Sequence, residues 1–158
     1  MNSNVFSSLD GSRLRVAIVA SRFNQELCDA LVKDAQSALK ACRIPEQQMT
    51  LIRVPGSFEL PVAASRLARS EKYDAIVCLG VIIKGDTKHD QYIADAVAHG
   101  LMDIAVQTGI PVSFGVLTTE NKTQAEARAL GSKKKGWEAA MSAVETVCSL
   151  MSSQEASE

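Results

Sequence analysis

Val16-Ala17-Ile18-Val19-Ala20 sets five apolar residues in a row with no polar residue between them. A strand with one face in water alternates apolar and polar side chains, whereas a strand covered on both faces is apolar throughout. The same continuity returns at Ala75-Ile76-Val77-Cys78-Leu79. Two such runs, separated by long segments of helical period, predict a parallel sheet with helices on both faces, because parallel neighbours need a long crossover connection. Outward from these runs, strands are expected over residues 14–20, 49–54, 75–83 and 111–117.

The segments between them carry the helical signal. After Phe23-Asn24, the residues Leu27, Leu31, Ala35 and Leu39 recur at four-residue steps, which turns one stripe toward the sheet. Residues 91–108 do the same with Ile93, Val97, Leu101 and Ile104, and Gly109 followed by Pro111 supplies the stop. Ser57 is placed to cap a helix whose first turn holds Phe58 and Glu59. A shorter helix begins at Asn121, with Gln124 reaching back in capping-box fashion. The last helix is expected over residues 137–151, with Ala140, Val144, Val147, Cys148 and Met151 on one side. Residues 1–12 are expected to form an extended N-terminal arm, and residues 152–158, small and polar, a frayed, disordered tail. With no repeat, linker or low-complexity stretch, the expectation for residues 1–158 is a single three-layer α/β/α domain around a central four-stranded parallel sheet.

Bulk properties narrow the function classes. A chain of 158 residues, 46% apolar and 22% charged, has the composition of a globular protein and length for one core. A net charge of −1 offers no basic face for nucleic acid. No apolar run reaches the roughly 18 residues of a membrane span, and residues 1–12 lack the positive start and apolar core of a secretory signal. A cytoplasmic protein is therefore expected. The cysteines, Cys28, Cys42, Cys78 and Cys148, are scattered without Cys-x-x-Cys spacing, so they read as reduced, small apolar residues rather than metal ligands.

In open parallel sheets ligands bind beyond the carboxyl ends of the strands, which directs attention to the segments after Ala20, Val54, Ile83 and Leu117. The first is Ser21-Arg22-Phe23-Asn24, where Phe23 is either a staple onto the following helix or a stacking face. The second, Val54-Pro55-Gly56-Ser57-Phe58-Glu59-Leu60-Pro61, combines a tight turn with a helix start, an aromatic and a hydrogen-bond acceptor. The third, Gly80-Val81-Ile82-Ile83-Lys84-Gly85-Asp86-Thr87-Lys88-His89, brings two glycines, a hydroxyl and a histidine to the start of the longest helix, where exposed N–H groups and the helix dipole favour an anion. It lacks Walker spacing, and no Gly-x-Gly-x-x-Gly follows the first strand, which argues against nucleotide folds. His89 beside such an anion site suits proton transfer, whereas His99, in mid-helix, reads as structural. Arg128 has the planar fork that fits phosphate, while Lys133-Lys134-Lys135 reads as a solvated loop.

Together these segments resemble the lumazine synthases from Val16 to about Val147. The motifs are Ser-Arg-Phe-Asn at 21–24, Val-Pro-Gly-Ser-Phe-Glu-Leu-Pro at 54–61, the ten residues from Gly80 to His89, Phe-Gly-Val-Leu-Thr-Thr-Glu-Asn at 114–121 and Lys-Gly-Trp-Glu-Ala-Ala at 135–140. The resemblance implies a flavodoxin-like fold and a transferase of riboflavin biosynthesis that joins 5-amino-6-(D-ribitylamino)uracil to 3,4-dihydroxy-2-butanone 4-phosphate without metal or organic cofactor. It implies that Phe23 stacks on the pyrimidine, that Ser57, Phe58 and Glu59 hold the ribityl chain, and that Val81, Ile82 and Ile83 line the ring pocket. Asp86 and Thr87 fall at the sugar phosphate and His89 at the proton donor, while Phe114, Arg128 and Lys135 would come from a neighbouring subunit. The family includes pentamers and sixty-subunit shells of pentamers, and the short Gly131–Lys135 segment favours a shell. Two departures stand out: Lys84 lies where arginine is common, and the stretch from Arg128 to Lys135 is one residue shorter than the commonest pattern. Two other readings compete, a flavin or lumazine carrier without turnover and a cage subunit with a vestigial site. The presence of Thr87, His89 and Arg128 weighs against the carrier.

Overall fold

The computed structural model describes the backbone of residues 9–155 and side chains through residue 153. Four parallel strands, β1 (Val16–Ser21), β2 (Met49–Val54), β3 (Ala75–Ile83) and β4 (Val112–Thr119), pair in the order β2-β1-β3-β4. Five α-helices connect and cover them: α1 (Gln25–Ala41), α2 (Leu60–Ala68), α3 (His89–Thr108), α4 (Lys122–Ala129) and α5 (Lys135–Glu155). Single 3₁₀ turns at Glu46–Gln48 and Ser57–Glu59 complete the element order.

The strand order dictates which helices share a face. From β1 the chain steps to one side to reach β2, then crosses back over β1 to reach β3. Right-handed crossovers in opposite directions must lie on opposite faces of the sheet. Accordingly Leu27, Leu31 and Leu39 of α1 pack in one core with Ala140 and Val144 of α5, while Leu60 and Ala64 of α2 pack in the other with Val97 and Leu101 of α3. β1 is buried at every residue and β3 at all but its last, as strands covered on both faces should be. The direction of winding reverses between β1 and β3, and such reversals leave a crevice at the strands' carboxyl ends.

The expected strands 49–54 and 75–83 coincide with β2 and β3. β1 starts later than residue 14, because Leu14 donates its N–H to the carbonyl of Gly11 (2.8 Å) and closes a turn. β4 starts after Pro111, which has no N–H for the ladder, and continues through Thr118 and Thr119, paired with Ile82 and Ile83. The α3 stripe is buried at Val97, Leu101 and Ile104, with Ile93 partly covered, and the helix ends at Gly109 with φ 71°. Asn121 caps α4 by accepting from the Gln124 N–H (2.9 Å), but the Gln124 side chain reaches back to the N–H of Glu120 (3.1 Å), one residue before the cap.

Three expectations need correcting. Ser57 makes no capping bond; the N-cap is Gly56, whose N–H donates to the Glu59 carboxylate (2.9 Å), while Ser57 is buried. The last helix begins at Lys135 and runs to Glu155, so residues 152–155 are helix rather than tail. There the hydroxyls of Ser152 and Ser153 bond back to the carbonyls of Cys148 and Leu150 (2.9 and 2.7 Å), which satisfies these polar side chains on the helix itself. Residues 156–158 lie outside the described residues, as do residues 1–8 of the expected arm; Leu9 packs against the core and Gly11 donates to the carbonyl of Cys42 (2.8 Å). Met151, expected on one side of the last helix with Ala140, Val144, Val147 and Cys148, is exposed, as its neighbour Leu150 is. All the cysteines are free thiols, and no helix among the described residues is long and apolar enough to cross a membrane.

Candidate active site

A cleft of about 620 Å³ opens at the carboxyl ends of β1, β2 and β3. Phe23 enters it from the turn between β1 and α1, and Gly56, Ser57, Phe58 and Glu59 from the turn after β2. Val81, Ile82 and Ile83 at the end of β3 supply an apolar floor, Val81 and Ile82 being buried. Gly85, Thr87, His89, Asp90, Tyr92 and Ile93 close it from the start of α3.

Phe23 is 72% exposed, so it does not staple α1; a ring held open to solvent beside an apolar floor is a stacking face. Its backbone is fixed, with the N–H donating to the carbonyl of Pro55 (3.1 Å) and the carbonyl accepting from the Cys28 thiol (3.3 Å). Burial pushes that thiol above its ordinary range, so Cys28 stays a protonated donor. Phe58 is 60% exposed across the cleft entrance.

The N-cap residue of α3, Lys88, makes no side-chain capping bond, and the His89 N–H donates to Thr87 Oγ1 at 3.4 Å. Backbone N–H groups at this end, together with the helix dipole, suit a bound anion. Lys84 does not reach into the same place freely, because its ammonium group pairs with the Glu120 carboxylate at 2.8 Å. That hydrogen bond and the carboxylate charge raise the Lys84 pKa above its usual value. Asp86 is exposed beside the cleft without lining it.

The remaining sequence-predicted residues lie elsewhere in the same chain. Phe114 on the edge strand β4 and Lys135 at the start of α5 line a second cleft of about 450 Å³, where Lys135 pairs with Glu138. Arg128 on α4 lines neither, and its guanidinium donates to the carbonyl of Gln124 (3.0 Å). One chain therefore brings together Phe23, Ser57, Phe58, Glu59, Val81, Ile82, Ile83, Thr87 and His89, and leaves Phe114, Arg128 and Lys135 apart. His99 stays outside both clefts, its Nδ1 2.7 Å from the carbonyl of Asp95.

Asp90, Tyr92 and Ile93 were not singled out from the sequence as site residues. The signal was available, since Tyr92 and Ile93 follow His89 by three and four positions and share its helix face.

Residues 13–151 match the family model for 6,7-dimethyl-8-ribityllumazine synthase. Proteins of that name from Kineococcus radiotolerans and from Xanthomonas oryzae pv. oryzae are similar throughout, the first 52% identical over 145 residues (90% of this chain, 88% of the relative) and the second 48% identical over 134 (84% and 87%). With a four-stranded parallel sheet covered on both faces and a family match spanning nearly the whole chain, the chain belongs to the 6,7-dimethyl-8-ribityllumazine synthase family.

Proposed function

We propose that this chain condenses 5-amino-6-(D-ribitylamino)uracil with 3,4-dihydroxy-2-butanone 4-phosphate to form 6,7-dimethyl-8-ribityllumazine, with loss of water and inorganic phosphate. The observation that carries this reading is the continuity of a single cleft from an exposed aromatic, Phe23, over an apolar floor to the start of α3 at His89. A planar heterocycle fits the first part and a phosphate the last.

In this mechanism Phe23 and the β3 floor hold the pyrimidine ring, and Ser57, Phe58 and Glu59 receive the ribityl chain. The Glu59 carboxylate already accepts from Gly56 and keeps acceptor capacity for a hydroxyl. Thr87, with Asp86 beside it, and the α3 N-terminus bind the phosphate. His89 moves the proton as the amine adds to the ketone, as water and phosphate leave, and as the ring closes. These steps need charge neutralisation and proton shuttling more than an activated nucleophile, so holding two substrates together supplies much of the acceleration.

Phe114, Arg128 and Lys135 act on this reading from a neighbouring copy, Phe114 covering the ring and Arg128 gripping the phosphate, within a cyclic pentamer that either stands alone or builds a shell. The chain works as one domain in the cytoplasm. The test is direct: the purified chain is supplied with both substrates while lumazine fluorescence and phosphate release are followed. Product with matched phosphate sustains the proposal; binding of lumazine without turnover would make the protein a carrier or a cage subunit instead.

A further inference from the structure

We infer that Asn24 is a positioning residue that holds the Phe23 stacking face in register with the floor of the cleft, an inference that rests on the cleft binding a heteroaromatic ring. Asn24 is a non-glycine residue in the left-handed region, with φ 56° and ψ 51°, at the N-cap of α1. Asparagine at that place ordinarily turns its side-chain oxygen onto the first helical N–H groups. Here it makes no such bond. Its amide nitrogen instead donates across the sheet to the carbonyl of Val81 at 3.1 Å.

The register of the sheet gives this bond its meaning. The ladder between β1 and β3 has its last rung at Ala20 and Leu79; Ser21 still pairs with Val54 of β2, and the chain then turns toward α1. The Val81 carbonyl lies past that rung, and the Asn24 side chain replaces the missing strand. The chain immediately after Phe23 is thereby tied to the strand that floors the cleft, while the Phe23 N–H is tied to Pro55 beyond β2. The ring itself is 72% exposed, so its place at the cleft is set by its backbone rather than by packing. A helix cap is forgone and a left-handed backbone accepted, both concessions in local stability, for a tie between two walls of the cleft.

The test uses the full chain and the fluorescent product, 6,7-dimethyl-8-ribityllumazine, as probe, with inorganic phosphate as the second ligand. Asn24→Gly keeps the left-handed backbone without strain and removes the donor; Asn24→Asp keeps the shape and places an acceptor against the Val81 carbonyl. Each is expected to raise the Kd for lumazine about tenfold, the scale of one lost directional contact, and to leave the phosphate Kd unchanged. In a Phe23→Ala background neither should change the lumazine Kd further, because the residue acts through that ring. The inference is overturned if both variants bind lumazine as tightly as the unaltered chain, if phosphate weakens equally, or if the losses add in full to that of Phe23→Ala. Turnover by the unaltered chain is read separately: lumazine binding without turnover defeats the enzymatic proposal and leaves the positioning role standing, whereas no lumazine binding at all overturns both.

Discussion

Gly80→Ala measures how closely the Ser57–Glu59 turn must approach the sheet. Gly80 lies in β3, and a Cβ added there would sit 2.4 Å from Ser57 Oγ, 3.3 Å from Ser57 Cβ and 3.4 Å from Leu60 Cδ1. Comfortable contacts between heavy atoms begin near 3.5 Å, so the Ser57 hydroxyl, the turn that carries it or the strand must give by about 1 Å. Ser57 is buried and rides on the same turn as Phe58 and Glu59, so displacement of the first moves the other two. Overpacking of this kind costs about 1–3 kcal/mol of stability. A misplacement of about 1 Å in groups that orient substrate costs on the order of 10² in rate. The expected outcome is therefore a folded protein whose kcat/KM, followed by product fluorescence, falls about a hundredfold. Adding Ser57→Ala removes the atom at 2.4 Å and leaves the Cβ at 3.3 Å as the nearest, a gap closed by a shift of a few tenths of an ångström. The double variant should return to the kcat/KM of Ser57→Ala alone. Normal activity in Gly80→Ala, or a double variant no better than it, would refute the argument that close approach is what the glycine is for.

His89→Ala should lower kcat about 10²-fold, near the lower end for general acid–base groups because substrate proximity survives; a kcat unchanged by the substitution across pH 6 to 8 removes the role. Burial pushes the Cys78 thiol up to about 12 from its ordinary value of 9.0. Between those limits the unfolded chain has lost a proton that the folded chain keeps, so this contribution is whole below pH 9 and stability falls as pH rises, by roughly 1 kcal/mol per pH unit. Urea titrations of Cys78→Ala should lack that component of the slope, and an identical slope would show that the thiol titrates alike in both states. Co-assembling the impaired His89→Ala and Arg128→Ala chains in equal amounts should restore about a quarter of the sites if each site takes His89 from one chain and Arg128 from the next. Mixed rings no more active than the two parents would place both residues within one chain.

The sheet and its covering helices were legible because burial on two faces and the helical period leave patterns that depend on side-chain chemistry alone. Where backbone geometry decides, the pattern is silent. Thr118 and Thr119 continue β4 because their backbone meets Ile82 and Ile83, whatever their polarity. Ser57 reads as a cap in any sequence, yet Glu59 already satisfies the Gly56 N–H and the hydroxyl turns inward beneath β3. Ile93 packs against the core as its place in the α3 stripe implies, yet with Asp90 and Tyr92 it also lines the cleft. The first turn of that helix rises past the sheet edge into the cleft, and a period of 3.6 does not say where the sheet stops. The separation of Phe114, Arg128 and Lys135 from His89 is a relation between strands that spacing along the chain does not encode.

That separation bears on how the proposed ring would be built. The first cleft gathers residues from the ends of β2, β1 and β3, whereas Phe114 and Lys135 flank the opposite edge of the sheet at β4. Phe23, Phe58 and Tyr92 are 72%, 60% and 69% exposed around the first cleft, and Phe114 is 46% exposed at the second. Apolar surface of this extent calls for cover. An isologous dimer sets like on like, so it would close one of these surfaces against itself and leave the other open. A heterologous contact sets the β4 edge of one copy against the Phe23 cleft of the next and covers both with a single repeated interface. Repetition of that contact would leave no copy with an uncovered face only if the ring closed, and each closed site of the proposed ring would then hold an aromatic from either side of the bound ring and positive charge from both the α3 start and the neighbouring α4.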